Sequence, residues 1–382
     1  MCIRDRHHIF IAGGGGIGKA TGLILQATNH LDCEITIADR FEEAANGAAS
    51  YINGGSQSSN TSGLQIPESG TNDDLDKVLQ SSDIILDCLP GSQAPRLAEY
   101  AKKYGCHYAN LTEYVNETNQ VTEIAKQSNT GFILQTGLAP GYINIIAHHL
   151  YKRFCNKFNV DKVEAIDMRV GALSKNARSP YFYAYTWSPI GVATEYVKDA
   201  IVVQDYKTTY IPSLSQTEAI ILDGIEYEDD FTSGGAADLP SALAGKVRNL
   251  SYKTLRYPGH YAWAKKIIDS TPSGKDKVEH LNETMLSQIP AVEDDIVIVY
   301  ASVKGKDQHN ILRAEEETLH IQPSQVGKHI LRAIQTTTAA PLCESARLLL
   351  EGNLKGPVFQ SQIDTKSFLN GPYVKAVYKE IL

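Results

Sequence analysis

At 382 residues the chain has room for two or three domains of ~150 residues, each with its own core. Hydrophobic residues at 42% and charged residues at 21% are ordinary globular usage, which excludes a disordered, collagenous or coiled-coil chain. The formal charge of -8, from 36 Lys+Arg against 44 Asp+Glu, is opposite in sign to the footprint of a nucleic-acid binder.

Met1 to Arg6 lacks apolar periodicity and reads as a leader outside the fold. Ile9-Phe10-Ile11-Ala12 is a β-rich run, Gly13 to Gly18 a glycine loop, Lys19 to Ala27 a helix, and Glu34 to Ala38 a second strand. This is a β-α-β unit with the crossover length that a parallel pair needs. Residues 46–63, crowded with Gly, Ser and Asn, read as a flexible surface loop. Alternation then resumes with strands at Asp83–Cys88, Tyr108–Leu111 and Phe132–Gln135, separated by helices near Gln93–Tyr104 and Thr118–Gln127. Together these predict a doubly wound parallel sheet.

Beyond Pro140, Val163 to Val170 alternates with period two, the pattern of a half-solvated antiparallel strand, so a second domain is expected there. Ile296 to Tyr300 and Leu319 to Ile321 continue its β character. Ala340 to Glu351 reads as a helix with Pro341 in its first turn and Gly352 at its end, returning to the first domain. No repeat of 20 to 50 residues is present.

No apolar run approaches the ~20 residues of a bilayer crossing, so no membrane association and a cytoplasmic location are expected. Cys2, Cys33, Cys88, Cys106, Cys155 and Cys343 are scattered without C-x-x-C spacing, so reduced thiols are expected and no metal site.

Gly13, Gly15 and Gly18 match G-x-G-x-x-G between a strand and a helix, where the N–H groups of Gly15, Gly16 and Ile17 can hold a pyrophosphate. Asp39 closes the second strand roughly 20 positions later, placed to accept hydrogen bonds from the adenosine ribose. Its carboxylate repels a 2′-phosphate and favours NAD. Arg40 beside it can stack on adenine or pair with a 2′-phosphate, which keeps NADP as the alternative. The turns Cys88-Leu89-Pro90 and Leu138-Ala139-Pro140 each follow a strand of this sheet, at the edge where a nicotinamide ribose would lie.

Further landmarks follow: Gly137-Leu138-Ala139-Pro140-Gly141, Tyr185 to Val192, Thr232-Ser233-Gly234-Gly235, and Lys253-Thr254-Leu255-Arg256-Tyr257-Pro258-Gly259-His260. In this order and spacing they resemble the saccharopine dehydrogenase family, in its lysine 6-dehydrogenase-like and bacterial saccharopine dehydrogenase branch. Two stretches depart from it: Trp187-Ser188-Pro189-Ile190-Gly191 stands where Phe-Ser-Pro-Glu-Gly is frequent, and Gly171-Ala172-Leu173-Ser174 where an aromatic precedes Gly-Gly-Leu-Pro. The resemblance implies an α/β Rossmann domain over residues 7–141, an inserted α+β substrate and dimerisation domain over 142–325, and a C-terminal return over 326–382. It also implies a homodimer and oxidation of an amino-acid amine with a nicotinamide cofactor.

That chemistry needs a base for the ammonium proton and a holder for the α-carboxylate. Arg256 is expected to clamp the carboxylate, supported by Lys253 and the hydroxyls of Thr232 and Ser233, while Arg169 reads as a solvated or paired charge. Tyr185, Glu113, His260 and Lys253 stand open as proton carriers. Tyr183 and Tyr185 are expected on one strand face. Two other readings stand beside the amino-acid dehydrogenase: a polyamine-pathway enzyme resembling carboxynorspermidine dehydrogenase, and a nucleotide-binding protein without turnover.

Overall fold

A computed structural model describes residues 6–58, 60–176 and 178–378; Cys2 and most of the expected leader lie outside them. In chain order come β1 (His7–Ala12), α1 (Gly16–Thr28), β2 (Cys33–Asp39), α2 (Glu42–Gly55), β3 (Thr61–Gln65) and α3 (Asp73–Ser81). Then follow β4 (Ile84–Asp87), α4 (Ala94–Tyr104), β5 (His107–Asn110), α5 (Val115–Ala125) and β6 (Gly131–Ile133). The middle of the chain forms α6 (Tyr142–Phe158), β7 (Val163–Ser174), α7 (Pro189–Val197), β8 (Ala200–Gln204), β9 (Lys207–Ile211), β10 (Glu218–Leu222) and β11 (Ile225–Phe231). It continues with α8 (Leu239–Leu243), β12 (Val247–Arg256), α9 (His260–Asp269), α10 (Lys277–Gln288), β13 (Asp295–Lys306) and β14 (Leu312–Ile321). The end holds β15 (Ser324–Val326), β16 (His329–Leu331), α11 (Ala333–Glu351), β17 (Gly356–Val358), α12 (Thr365–Leu369) and α13 (Pro372–Tyr378).

Two compact units result: one takes the residues to Tyr142, Ser324–Leu331 and those from Gln335 onward, the other Ile143–Pro323 with Arg332–Ile334. In the first, seven strands pair in the order β17-β6-β5-β4-β1-β2-β3, every pair parallel. Strand order reverses between β1 and β4, which opens a crevice at their carboxyl ends. Ile9, Phe10, Ile11 and Ala12 are all buried, as the unbroken apolar run of a strand covered on both faces requires. The chain returns at its end to add β17 beside β6.

Residues 46–63 are not the loop expected of them: they supply most of α2 and the start of β3. Ala45, Ala48, Ala49 and Ile52 bury one helical stripe, a pattern masked by the surrounding Gly, Ser and Asn. Asn53 pairs with the backbone of Thr61 in both directions, at 2.8 and 3.1 Å, and joins helix to strand. A Cβ on Gly63 would lie 2.8 Å from the Ala45 carbonyl carbon, so glycine there permits the close approach.

The final long helix also differs. It starts at Ala333, not Ala340, because the Asp295 carboxylate accepts the N–H groups of Ala333 and Ile334 at 2.7 and 2.8 Å. Pro341 therefore sits inside it. The Thr337 carbonyl that proline cannot reach accepts the Tyr378 hydroxyl instead.

The second unit is a mixed sheet in the order β10-β11-β12-β7-β13-β14, with β8 also on β12 and β9 on β8. The stretch from Val163 was expected to be a half-solvated antiparallel strand; it is central, parallel to β12 and antiparallel to β13. Val163, Ile166, Met168 and Val170 are buried, with Asn144 of α6 reaching the Met168 sulfur from that face. Among the described residues no helix is long and apolar enough to cross a membrane, and no His/Cys/Asp/Glu group could hold a metal.

Candidate functional site

In the first unit the glycine loop joins β1 to α1 at the crevice. Gly13 has φ +111°, and a Cβ there would meet the Cys88 carbonyl oxygen at 2.8 Å; one on Gly18 would collide with the Gly13 carbonyl. Gly15 differs: its φ is -75° and nothing lies within 4 Å of its would-be Cβ. This open cradle faces the first turn of α1, which has no side-chain cap and no acidic residue, leaving Gly16 and Ile17 with their N–H groups available to an anion. The geometry fits a dinucleotide pyrophosphate.

Asp39 ends β2 with one carboxylate oxygen accepting Gly14 N–H at 3.0 Å and the other Phe41 N–H at 3.1 Å. Each oxygen retains a lone pair for a ribose hydroxyl. Exposed Arg40 lies over the Phe41 ring at 4.4 Å, and both line a cleft of about 590 Å³ with Gln65, Ile66, Pro67 and Asn72. Arg96 braces its wall, donating to the Pro67, Glu68 and Gly70 carbonyls at 2.7, 2.7 and 2.9 Å.

On the far side of the crevice the turn Cys88-Leu89-Pro90 follows β4. Asp87, absent from the sequence-based set, fastens it: Oδ1 accepts Leu89 N–H at 3.0 Å and Oδ2 the Tyr108 hydroxyl at 2.7 Å. Burial pushes its carboxyl up to about 7. The rule that located Asp39, a carboxylate closing a parallel strand, also selects Asp87. Cys88 is no nucleophile, since burial raises its thiol to about 12. Leu138 is buried next to a cis Ala139–Pro140 bond in the turn after β6. Glu113 follows β5 at this edge of the sheet, and burial raises it to about 7.

In the second unit Arg256 ends β12 with 1% exposure. Its Nε donates to the Tyr196 hydroxyl at 2.6 Å and Nη1 to its neighbour Leu255 carbonyl at 2.8 Å. Its guanidinium carbon lies 4.7 Å from the centroid of the Tyr183 ring. Among the described residues no carboxylate is seen in an ion pair with it, and buried Glu195 attracts it. Tyr183 and Tyr185 are not on a regular strand; they lie in the loop before α7, where Tyr185 makes a lone bridge to Ala291, and their rings meet edge to face at 6.0 Å. The Tyr185 and Thr186 hydroxyls are buried and make no hydrogen bond.

Other expected members are engaged elsewhere. His260 is fully buried between the Tyr181 carbonyl and Tyr196, and burial together with the Arg256 charge drives it down to about 3. It is a neutral imidazole near pH 7 and takes up no second proton there. Lys253 ion-pairs with Glu218 at 2.6 Å and Asp229 at 2.8 Å, so its ammonium is spent within the sheet. Arg169 is paired with Asp229 and Asp167. The Thr232 hydroxyl bonds that of Thr254 at 2.6 Å, and the Ser233 hydroxyl reaches the Thr194 carbonyl at 3.5 Å. Tyr196, which no local sequence signal picks out, hydrogen-bonds to both Arg256 and His260.

A family model described as saccharopine dehydrogenase NADP binding domain matches residues 9–133, and one described as saccharopine dehydrogenase C-terminal domain matches residues 137–382. Among solved structures, apo saccharopine dehydrogenase (L-Glu forming) from Saccharomyces cerevisiae superposes with a TM-score of 0.72 at 14% identity, over 97% of this chain and 98% of that one. The homospermidine synthase from Legionella pneumophila in complex with NAD gives a TM-score of 0.68 at 14% identity, covering 97% of this chain and 90% of that one. At such identities the likeness is one of fold.

Proposed function

The chain belongs to the saccharopine dehydrogenase family, and from that premise we propose that it oxidises the CH–NH group of an amino acid of saccharopine or lysine type with NAD. The observation that carries this reading is Arg256. A guanidinium buried without a carboxylate costs several kcal/mol of desolvation unless a ligand supplies the missing charge. Tyr185, whose buried hydroxyl makes no hydrogen bond, belongs to the aromatic cluster that includes Tyr183 and Tyr196, and offers a further donor.

The same feature weighs against a plain polyamine, which has no carboxylate to offer Arg256.

Hydride departs from the substrate carbon only when the neighbouring nitrogen carries a lone pair, so a base must first take the ammonium proton. Of the expected proton carriers Glu113, in the first unit, is the one whose carboxyl, at about 7, is partly ionised near neutrality. Tyr185, held above its usual range by burial, stays protonated and offers a hydrogen bond. The nicotinamide, when bound, supplies the hydride acceptor.

The test is a panel of saccharopine, lysine, other amino acids, carboxylated polyamines and plain polyamines, followed by the near-ultraviolet absorbance of the reduced nicotinamide. Turnover confined to carboxylated amino-acid amines is expected. Turnover of polyamines alone would overturn the substrate assignment, and NAD binding without turnover of any member would favour a nucleotide-binding protein.

Asp39 supports NAD. Asp39→Ala is expected to weaken NAD much more than NADP in parallel titrations, because only NAD brings a free 2′-hydroxyl to the carboxylate. Loss of Arg40 should harm NADP at least as much as NAD. Equal losses of both dinucleotides on removing Asp39 would leave the choice of NAD without its argument.

A further inference from the structure

Around Arg256 the direction of every hydrogen bond can be deduced. The Tyr181 carbonyl only accepts, so His260 Nδ1, 2.7 Å away, carries the proton. Burial and the Arg256 charge keep the ring neutral, which leaves Nε2 bare. Tyr196 must then donate its hydroxyl proton to Nε2 at 3.0 Å, and its oxygen is free to accept Arg256 Nε–H at 2.6 Å. One chain runs from guanidinium to phenol to imidazole to main chain, with no alternative polarity.

This chain blocks one edge of the guanidinium. A carboxylate can take two parallel N–H bonds either from the Nε edge or from the Nη1/Nη2 edge. The first is held by Tyr196. The plane of the group is held by the Tyr183 ring, and Nη1 keeps one contact to the Leu255 carbonyl while retaining its second N–H.

We infer that Tyr196 and His260 are positioning residues, which by occupying the Nε edge of Arg256 direct a substrate carboxylate onto its Nη1/Nη2 edge. The inference rests on the reading of Arg256 as the carboxylate clamp and adds two residues that never touch substrate. His260 acts here because it cannot be charged: a protonated ring would donate at both nitrogens and turn the Tyr196 hydroxyl away.

The test titrates the full-length protein with saccharopine and, as a carboxylate-free amine, cadaverine, by calorimetry in the presence of NAD. Tyr196→Phe keeps the ring and removes the acceptor; His260→Phe removes the acceptor for Tyr196; His260→Gln returns a carbonyl oxygen near the Nε2 position. Saccharopine affinity is expected to fall about tenfold or more in the first two variants and to recover in the third. Affinity for cadaverine and for NAD should stay within about twofold of the parent. A merely structural role would lower all three affinities together, and that result overturns the inference, as does unchanged saccharopine binding in Tyr196→Phe. Arg256→Lys separates the two layers. If it leaves the preference for saccharopine over cadaverine intact, the clamp reading fails; if it abolishes that preference while Tyr196→Phe does not, only the positioning role fails. Should His260→Phe not fold, Tyr196→Phe carries the test alone.

Discussion

Gly15→Val is expected to abolish dinucleotide binding, by a factor of about one hundred or more, with the fold intact. The backbone there has φ -75°, which valine adopts without strain, and beyond the adjoining residues no protein atom lies within 4 Å of the new Cβ. The side chain therefore clashes only with what occupies the cradle in front of α1. Calorimetric titration with NAD and NADP, together with a thermal melt, checks both halves. Retained binding would place the pyrophosphate elsewhere. Gly18→Ala is the contrasting control: its Cβ overlaps the Gly13 carbonyl, so it should damage the loop itself and lower the melting temperature.

Arg256→Lys should lower kcat/KM for the active amino acid by about one to three kcal/mol of transition-state binding, that is about 5- to 150-fold. Lysine keeps the charge but offers no planar fork, loses the Nε–H bond to Tyr196, and cannot lie over Tyr183 in the same way. Cofactor affinity should remain within a few-fold of the parent, since Asp39 and the glycine loop belong to the other unit. Steady-state kinetics and a fluorescence titration with NAD measure the two effects on one preparation. An unchanged kcat/KM, or a melt that collapses with both functions lost, would make Arg256 a structural residue.

The glycine loop, β1, β2 and Asp39 were legible because the information is local: an apolar run, three glycines and a carboxylate at fixed spacing within one β-α-β unit. The helix α2 was legible in principle, since Ala45, Ala48, Ala49 and Ile52 repeat at helical spacing. Alanine contributes so little apolar weight that Gly, Ser and Asn dominated the window. Gly63 reads as a loop residue only until the helix packed against it is known.

What the sequence by itself determined is the doubly wound sheet, the place of the dinucleotide loop and, through the order of its longer landmarks, the family. What only the tertiary structure decided is the state of each polar side chain in those landmarks. Lys253, Arg256 and His260 lie within eight residues of one another, yet one is neutralised by Glu218 and Asp229, one is left a buried cation over Tyr183, and one is held neutral between Tyr181 and Tyr196. The start of α11 at Ala333 has the same origin, since its cap is Asp295 on β13. The physical reason is common to all four. Strand and turn propensities are set by neighbours in sequence, but charge, protonation and capping are set by burial and by partners that arrive from other elements.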